Sequence, residues 1–380
     1  MLELSFILLG IVFFYGYIVY PSLLCILSKR NSRLQVEITE EAKIYPLVTF
    51  IVPVFNAEQY LVNKINNCLD ICYPKDKLQF IFVSDASTDD TVKILTRFPE
   101  IEVISLEKRS GKEKALQLGI AYAKGEVVCV SDVSTYIDKS SIKRVVASFS
   151  DPLLGVVSSV DRLDSHALSL DSIHIRFEML LRGLESKVSS CVGVSGSFFA
   201  ARLSLCKSLK NENCCSDLEV VFSAVRKGFY VKQDPRLVGR YSKTYSSKYE
   251  FARQVRIITH GINTIVENPD ILNPFKYGLF FWQVVSHKII RWLIPMLVLF
   301  LGVVLVISWL VNDVVYLYFM LLFMFLITCF GLLTNKWQSK ISVWRGLGML
   351  FVYVFSVLFA LISVIVGKKQ QIWVPTKRQG

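Results

Sequence analysis

The chain has 380 residues, 53% of them hydrophobic and 19% charged, with a net charge of +12. A mean hydropathy of +0.45 is high for a soluble protein, and the pI of 9.2 points to an anionic partner: nucleic acid, anionic lipid or a phosphorylated substrate. No helix-turn-helix or RNP-type pattern is present, which argues against nucleic acid.

The apolar excess is unevenly spread. Leu4 to Leu27 carries no charge, and neither do Trp292 to Val311, Val314 to Asn335 or Gly346 to Val366. Each is about as long as a helix crossing ~30 Å of hydrocarbon. The first reads as a retained anchor and not a cleaved leader: Glu3 is acidic, no small-x-small site follows, and Lys29, Arg30 and Arg33 come next. These bases, with Lys276, Lys288 and Arg291 before the second segment, place the N-terminus outside and the intervening domain in the cytoplasm. Lys336, Lys340 and Arg345 lie between the third and fourth segments. Three crossings after the domain leave the basic tail (Lys368, Lys369, Lys377, Arg378) outside, against the same rule. Two readings stand: a re-entrant segment, or a tail that breaks the rule. The expected plan is an anchor at 1–28, a soluble domain at 45–270, an interfacial segment at 271–291, a membrane cluster at 292–367 and a basic tail at 368–380.

Within the soluble domain, four β-rich runs appear in order: Val48 to Phe55, Phe80 to Ser84, Glu102 to Leu106 and Glu126 to Ser131. Helical spacing fills the gaps. Leu61, Ile65 and Leu69 stand at i, i+4, i+8; Val92, Leu95 and Phe98 follow in the second gap; Ala115, Leu118 and Tyr122 follow in the third. Alternating strand and helix predicts a parallel sheet covered by helices, an α/β fold. Ligands of such sheets bind at the carboxyl ends of the strands. Three polar turns gather there: Pro53 to Glu58, Ser84 to Asp90 and Ser131 to Ser134. Asp89 and Asp90 read as helix caps, and Asp85 as either a cap or a ligand contact. The nine cysteines lack C-x-x-C pairs and zinc-site spacing, so free thiols are expected.

VPVFNAEQYL, FVSDASTDDT, RSGKEKALQLG and VVCVSDVS, in this order, resemble the nucleotide-sugar-binding half of membrane-embedded family-2 glycosyltransferases with a GT-A fold. Cellulose, hyaluronan and poly-N-acetylglucosamine synthases are members, and the likeness covers roughly residues 45 to 270. GxGxxG and GxxxxGK[ST] are absent, which removes dinucleotide and P-loop readings.

The resemblance implies a Rossmann-like GT-A domain between transmembrane helices and a UDP-sugar donor. It implies donor contacts from Pro53, Phe55, Asn56, Glu58, Asp85, Lys112, Asp132, Arg253 and Arg256. Asp132 begins the family's D-x-D, but the triplet here is Asp132-Val133-Ser134. Asp132 and Ser134 are then the expected ligands of a Mg²⁺ or Mn²⁺ that neutralises the leaving diphosphate. Asp217, in a partial T-E-D-like motif where Ser216 replaces Glu, is the expected general base, with Glu219 as a rival. Glu185 and Gly196 are implied on the acceptor side. Arg253 and Arg256 replace the family's Q-x-x-R-W, one helical turn apart. QIWVPTKRQG resembles a gating loop, with Trp373, Thr376 and Arg378 as its matching residues.

The expected function is inverting transfer from a UDP-sugar to a glycan or other hydroxyl acceptor at the cytoplasmic face of a cell membrane. Polysaccharide synthesis fits, with a lipid bilayer and export subunits as partners. Two alternatives are a polyprenyl-phosphate glycosyltransferase making a lipid-linked sugar, and a non-catalytic nucleotide-binding or scaffolding protein.

Overall fold

A computed structural model describes residues 10–30, 45–163, 170–209, 214–241, 247–297, 300, 303 and 342–367. Helix α1 (Gly10–Arg30) precedes β1 (Val48–Val54), α2 (Glu58–Leu69), β2 (Leu78–Ser84), α3 (Thr91–Leu95) and β3 (Ile101–Ser105). Next come α4 (Lys112–Ala121), β4 (Val127–Ser131), β5 (Tyr136–Ile137), α5 (Ser141–Ser148) and β6 (Leu154–Leu163). Then follow α6 (Leu170–Val188), β7 (Phe198–Arg202), α7 (Ser216–Arg226) and β8 (Tyr230–Tyr241). Helices α8 (Ser247–Val266), α9 (Pro274–Val284) and α10 (Ser342–Ile365) close the described chain.

The strands form one eight-stranded sheet in the order β3-β2-β1-β4-β7-β6-β8-β5. The four strands expected from sequence form its parallel half, and they sit within two residues of their expected bounds. Beyond β4 the sheet turns mixed. β7 runs antiparallel to both β4 and β6, a departure from the all-parallel expectation.

Strand side chains alternate between two apolar layers. Ile51, Ile81, Val128 and Val130 face one layer, with Leu116 and Ile120 of α4 and Val220 and Phe222 of α7. Phe50, Val52, Phe80, Phe82 and Cys129 face the other, with Leu61 and Ile65 of α2. Both faces of β1 are buried along its whole length, which is why it reads as an unbroken apolar run. Two glycines let the layers close. A Cβ at Gly119 would lie 2.7 Å from the Ile51 side chain, and one at Gly125 would lie 2.5 Å from the Thr49 backbone nitrogen.

Among the described residues one helix, Gly10–Arg30, is long and apolar enough to cross a membrane. It packs on α6, while α10 packs on α8 through Val357 and Ala360 against Val255, Ile258 and Ile262. The expected spans at 292–311 and 314–335 fall mostly or wholly outside the described residues, as does the tail with Trp373, Thr376 and Arg378. Each described cysteine is a free thiol.

Candidate active site

β1 pairs with β2 on one side and β4 on the other, so the crevice between β1 and β4 is a topological switch point. The register aligns Val54 with Ser84 and Ile51 with Val130, so all three strands stop at one rim.

The turns after β1 and β2 are stitched together. Asn56 and Ala86 hold φ of 45° and 56°, a left-handed conformation that costs a non-glycine residue energy. Hydrogen bonds stabilise it. Asn56 N donates to Ser87 Oγ (3.1 Å), and Asn56 Oδ1 accepts from Thr88 N (2.8 Å). Glu58 N donates to Asp89 Oδ2 (3.2 Å), and Asp90 N donates to Glu58 Oε2 (3.1 Å). Asp89 Oδ1 also accepts from Thr91 N at 3.0 Å, whereas Asp90, which occupies the N-cap of α3, makes no side-chain cap bond. Asn56 and Glu58, expected at the donor, thus bond to the neighbouring turn. Pro53 is buried within β1, opposite Val83.

Asp85 is only 2% exposed. Its Oδ1 accepts from Ser110 N (2.6 Å) and its Oδ2 from Gly111 N (2.9 Å). The carboxylate therefore ties the loop before α4 to the end of β2. Gly111, with φ of 96°, is the residue that lets the chain turn there. On the same loop the Arg109 guanidinium lies 3.7 Å from the centre of the Phe55 ring.

Lys112 opens α4. Its Nζ donates to Asp132 Oδ1 (2.6 Å) and to the Gly196 carbonyl (3.1 Å). Burial alone would lower its pKa, but the charges of Asp132 and Glu113 outweigh that and raise it. Below the Asp132 turn lies Lys64, fully buried on α2. Its Nζ donates to Ser131 Oγ (2.8 Å) and the Thr135 carbonyl (2.5 Å), bracketing the Asp132-Val133-Ser134 triplet.

Asp217 sits in the first turn of α7 and is partly exposed. Its backbone carbonyl accepts from Val194 N at 3.0 Å. Its carboxylate oxygen would meet a Cβ on Gly196 at 3.5 Å, so a glycine there keeps the space before Asp217 open. The Cys215 thiol donates to Asp217 Oδ1 at 2.5 Å. Burial, then the Asp217 charge, pushes that thiol's pKa well up, so it stays a donor.

Of the two arginines on α8, Arg256 is half-buried and its charge is felt at Lys112 and Cys215; Arg253 is exposed. The structure therefore brings Lys112, Asp132, Gly196, Asp217 and Arg256 together. Glu185, expected at the acceptor, is 0% exposed and holds Tyr20 of α1 and His287 instead. Sequence reasoning passed over Lys64, Arg109 and Cys215. Lys64 had a local signal: a lysine in the apolar stripe of Leu61, Ile65 and Cys68.

Asp132 supplies one half-exposed carboxylate, and Ser134 a nearby hydroxyl on the same turn. Mg²⁺ commonly takes one or two carboxylates plus substrate phosphates, so this oxygen donor set fits such an ion minimally. Lys112 competes for the same carboxylate. Among the described residues no group of three His, Cys, Asp or Glu side chains forms a cage.

The sheet thus carries a polar crevice at its switch point, with Lys112 and Asp132 paired there. Residues 49–202 match the model of glycosyl transferase family 2. The chain is 26% identical over 215 residues to the probable glycosyltransferase YdaM of Bacillus subtilis, covering 52% of this chain and 51% of that protein. It is 23% identical over 199 residues to poly-beta-1,6-N-acetyl-D-glucosamine synthase of Staphylococcus aureus, covering 50% of this chain and 48% of that one. The chain thus spans about half the length of the curated relatives it matches. The mannosyltransferase PcManGT of Pyrobaculum calidifontis, solved with GDP-Man and Mn²⁺, shares the fold with a TM-score of 0.74 at 19% identity. That match covers 97% of this chain and 100% of the other.

Proposed function

We propose that this protein is a membrane-bound inverting glycosyltransferase. It transfers a sugar from a UDP-sugar to a hydroxyl of a growing glycan at the cytoplasmic face, in cell-surface polysaccharide synthesis. The observation that carries this reading is the meeting of Asp217 with the Lys112–Asp132 pair at Gly196.

The uracil lies beside the Phe55–Arg109 stack, a flat apolar and cationic surface suited to a base. Lys112 and Arg256 face the diphosphate and balance its charge. Asp217 takes the proton from the acceptor hydroxyl. The acceptor oxygen bonds to the anomeric carbon as the bond from that carbon to phosphate breaks. The electron pair leaves with UDP, and the carbon inverts. Asp132, with Ser134, would hold Mg²⁺ or Mn²⁺, which when bound supplies further positive charge to the leaving group. Lys112 and Arg256 add positive charge where the leaving diphosphate gains negative charge.

The test is a screen of UDP-sugars for UDP release by the full chain in detergent, with mass analysis of the product. In Asp217→Asn, transfer falls by ~100-fold or more while UDP-sugar binding stays, since general-base catalysis contributes about 10²–10⁴. Full transfer in that variant removes Asp217 from the reaction.

A further inference from the structure

One short turn, Ser195-Gly196-Ser197, meets each of the groups that the proposed reaction uses. The Gly196 carbonyl accepts from Lys112 Nζ at 3.1 Å, and the Ser197 carbonyl accepts from Asp132 N at 3.0 Å. One residue earlier, Val194 N donates to the Asp217 carbonyl at 3.0 Å. A Cβ on Gly196 would lie 3.5 Å from Asp217 Oδ2. A shift of this turn therefore moves Lys112, Asp132 and Asp217 relative to one another.

The turn belongs to no helix or strand, so no backbone ladder fixes it. Side chains do. Ser195 N donates to Ser158 Oγ at 2.8 Å. The hydroxyls of Ser195 and Ser197, the residues on either side of Gly196, both donate to Asp161 Oδ1, the first at 2.5 Å. Ser195 Oγ also accepts from Ser197 N at 3.1 Å, which closes the turn on itself. Both serines are buried, and one carboxylate oxygen holds them both. Asp161 is anchored in turn. It lies on β6, where it pairs with Gly239 of β8, and its N–H donates to Met179 Sδ at 3.2 Å. A Cβ at Gly239 would lie 2.9 Å from Ser197 Oγ, so the glycine leaves the room in which that serine reaches the acid.

Hydrogen bonds to a carboxylate are roughly twice as strong as those between neutral groups. A buried hydroxyl that loses its acceptor is costly, so without Asp161 both serines seek other partners and the turn moves with them.

We propose that Asp161 is a positioning residue for sugar transfer: through Ser195 and Ser197 it fixes the Gly196 turn, and with it the relative places of Lys112, Asp132 and Asp217. This rests on the glycosyltransferase reading above and adds to it a residue that acts through the turn.

The test compares wild type with Asp161→Ala, Asp161→Asn, Ser197→Ala and the Ser195→Ala/Ser197→Ala pair, each as the full chain in detergent. Two quantities are read: UDP release at saturating UDP-sugar, and amide hydrogen exchange over residues 192–199 by mass spectrometry without substrate. In Asp161→Ala, exchange across the turn speeds up by about tenfold or more. Its kcat falls by ~100-fold, the cost of a misplacement of about 1 Å. UDP affinity stays within about threefold of wild type, since Lys112 keeps its bond to Asp132 Oδ1. Asp161→Asn keeps an oxygen for both hydroxyls and recovers most of the kcat and the protection. Adding the serine pair to Asp161→Ala lowers kcat no further, because acid and hydroxyls act as one unit. Ser197→Ala removes one of the two bonds with every charge in place; it loses an intermediate amount and carries the comparison if Asp161→Ala does not fold. A merely structural acid gives a different pattern, a lower Tm with kcat of the folded protein unchanged. That pattern, an Asp161→Asn as slow as Asp161→Ala, or additive losses for acid and serines overturns the proposal. Exchange is read without turnover, so unchanged exchange overturns it whatever the chain transfers. Faster exchange in a chain whose wild type transfers from no UDP-sugar falls on the functional reading alone.

Discussion

Asp85→Asn separates a carboxylate that touches ligand from one that holds a loop. Asp85 accepts two backbone hydrogen bonds, 2.6 Å from Ser110 N and 2.9 Å from Gly111 N. Asparagine keeps the shape but replaces one acceptor oxygen with an N–H donor that faces another donor. Hydrogen bonds to a charged group contribute about 1.5–3 kcal/mol each, and an unsatisfied buried donor costs ~1–3 kcal/mol. Partial rotation and water access reduce the sum, so the loop before α4 loses roughly 2–3 kcal/mol. Apparent affinity falls with the population of the competent state, so UDP binding weakens by up to about 30- to 150-fold, the loss shrinking with any stability the wild-type loop holds in reserve. Lys112 begins the helix that this loop introduces, and Arg109 lies on the loop itself, so both donor-side cations lose their place. The assay is calorimetric titration of UDP into the full chain, with thermal unfolding alongside. UDP affinity within about threefold of wild type, with an unchanged Tm, refutes the reasoning.

Gly111→Ala probes the same loop from the backbone side. Its φ of 96° is strained for alanine, and strain of this kind costs of order 1–3 kcal/mol, read as a lower Tm and weaker UDP binding. Where α6 meets α1, burial would raise the Glu178 pKa, but Arg291 and His287 hold the carboxyl well below its ordinary value. Stability from this pairing is full above about pH 4.3 and is lost as pH falls through the lower folded value. Glu178→Gln therefore lowers Tm at pH 7 and flattens its decline toward pH 3 in a thermal-unfolding series. EDTA suppresses transfer and added Mg²⁺ or Mn²⁺ restores it. The metal half-saturation is high, because Lys112 already holds the Asp132 carboxylate at 2.6 Å.

How much of this was legible beforehand differs by element. The four parallel strands and their helices stood out because burial on both faces makes unbroken apolar runs, and helix spacing marks one covered side. The mixed half was harder to read. β6 and β8 are long and half-polar, and their pairing joins residues from Leu154 with Tyr230 to Leu163 with Tyr241, with register shifts between them. Glu185 looked like an acceptor contact because it precedes Gly193 to Arg202, a stretch that resembles the family's Gly-rich acceptor floor. It is instead buried against α1, an element 165 residues away in sequence.

The sequence by itself determined the order of strands and helices, the polar turns at the strand ends, the apolar N-terminal helix and the likeness to a sugar-transferase family. These are local properties, set by side-chain period and by the residues each turn requires. Tertiary structure alone decided what each charged group does. A carboxylate at a strand end serves a ligand or a backbone N–H equally well by its own chemistry, and the loop that arrives beside it makes the choice. For Asp85 that loop carries Ser110 and Gly111; for Asp132 the arriving group is Lys112, 20 residues earlier, which also reaches Gly196, 84 residues after the lysine. Arg182 shows the converse: it stands between Glu178 and Glu185 on one helix, yet its Nε and Nη1 have no hydrogen-bond partner among the described residues.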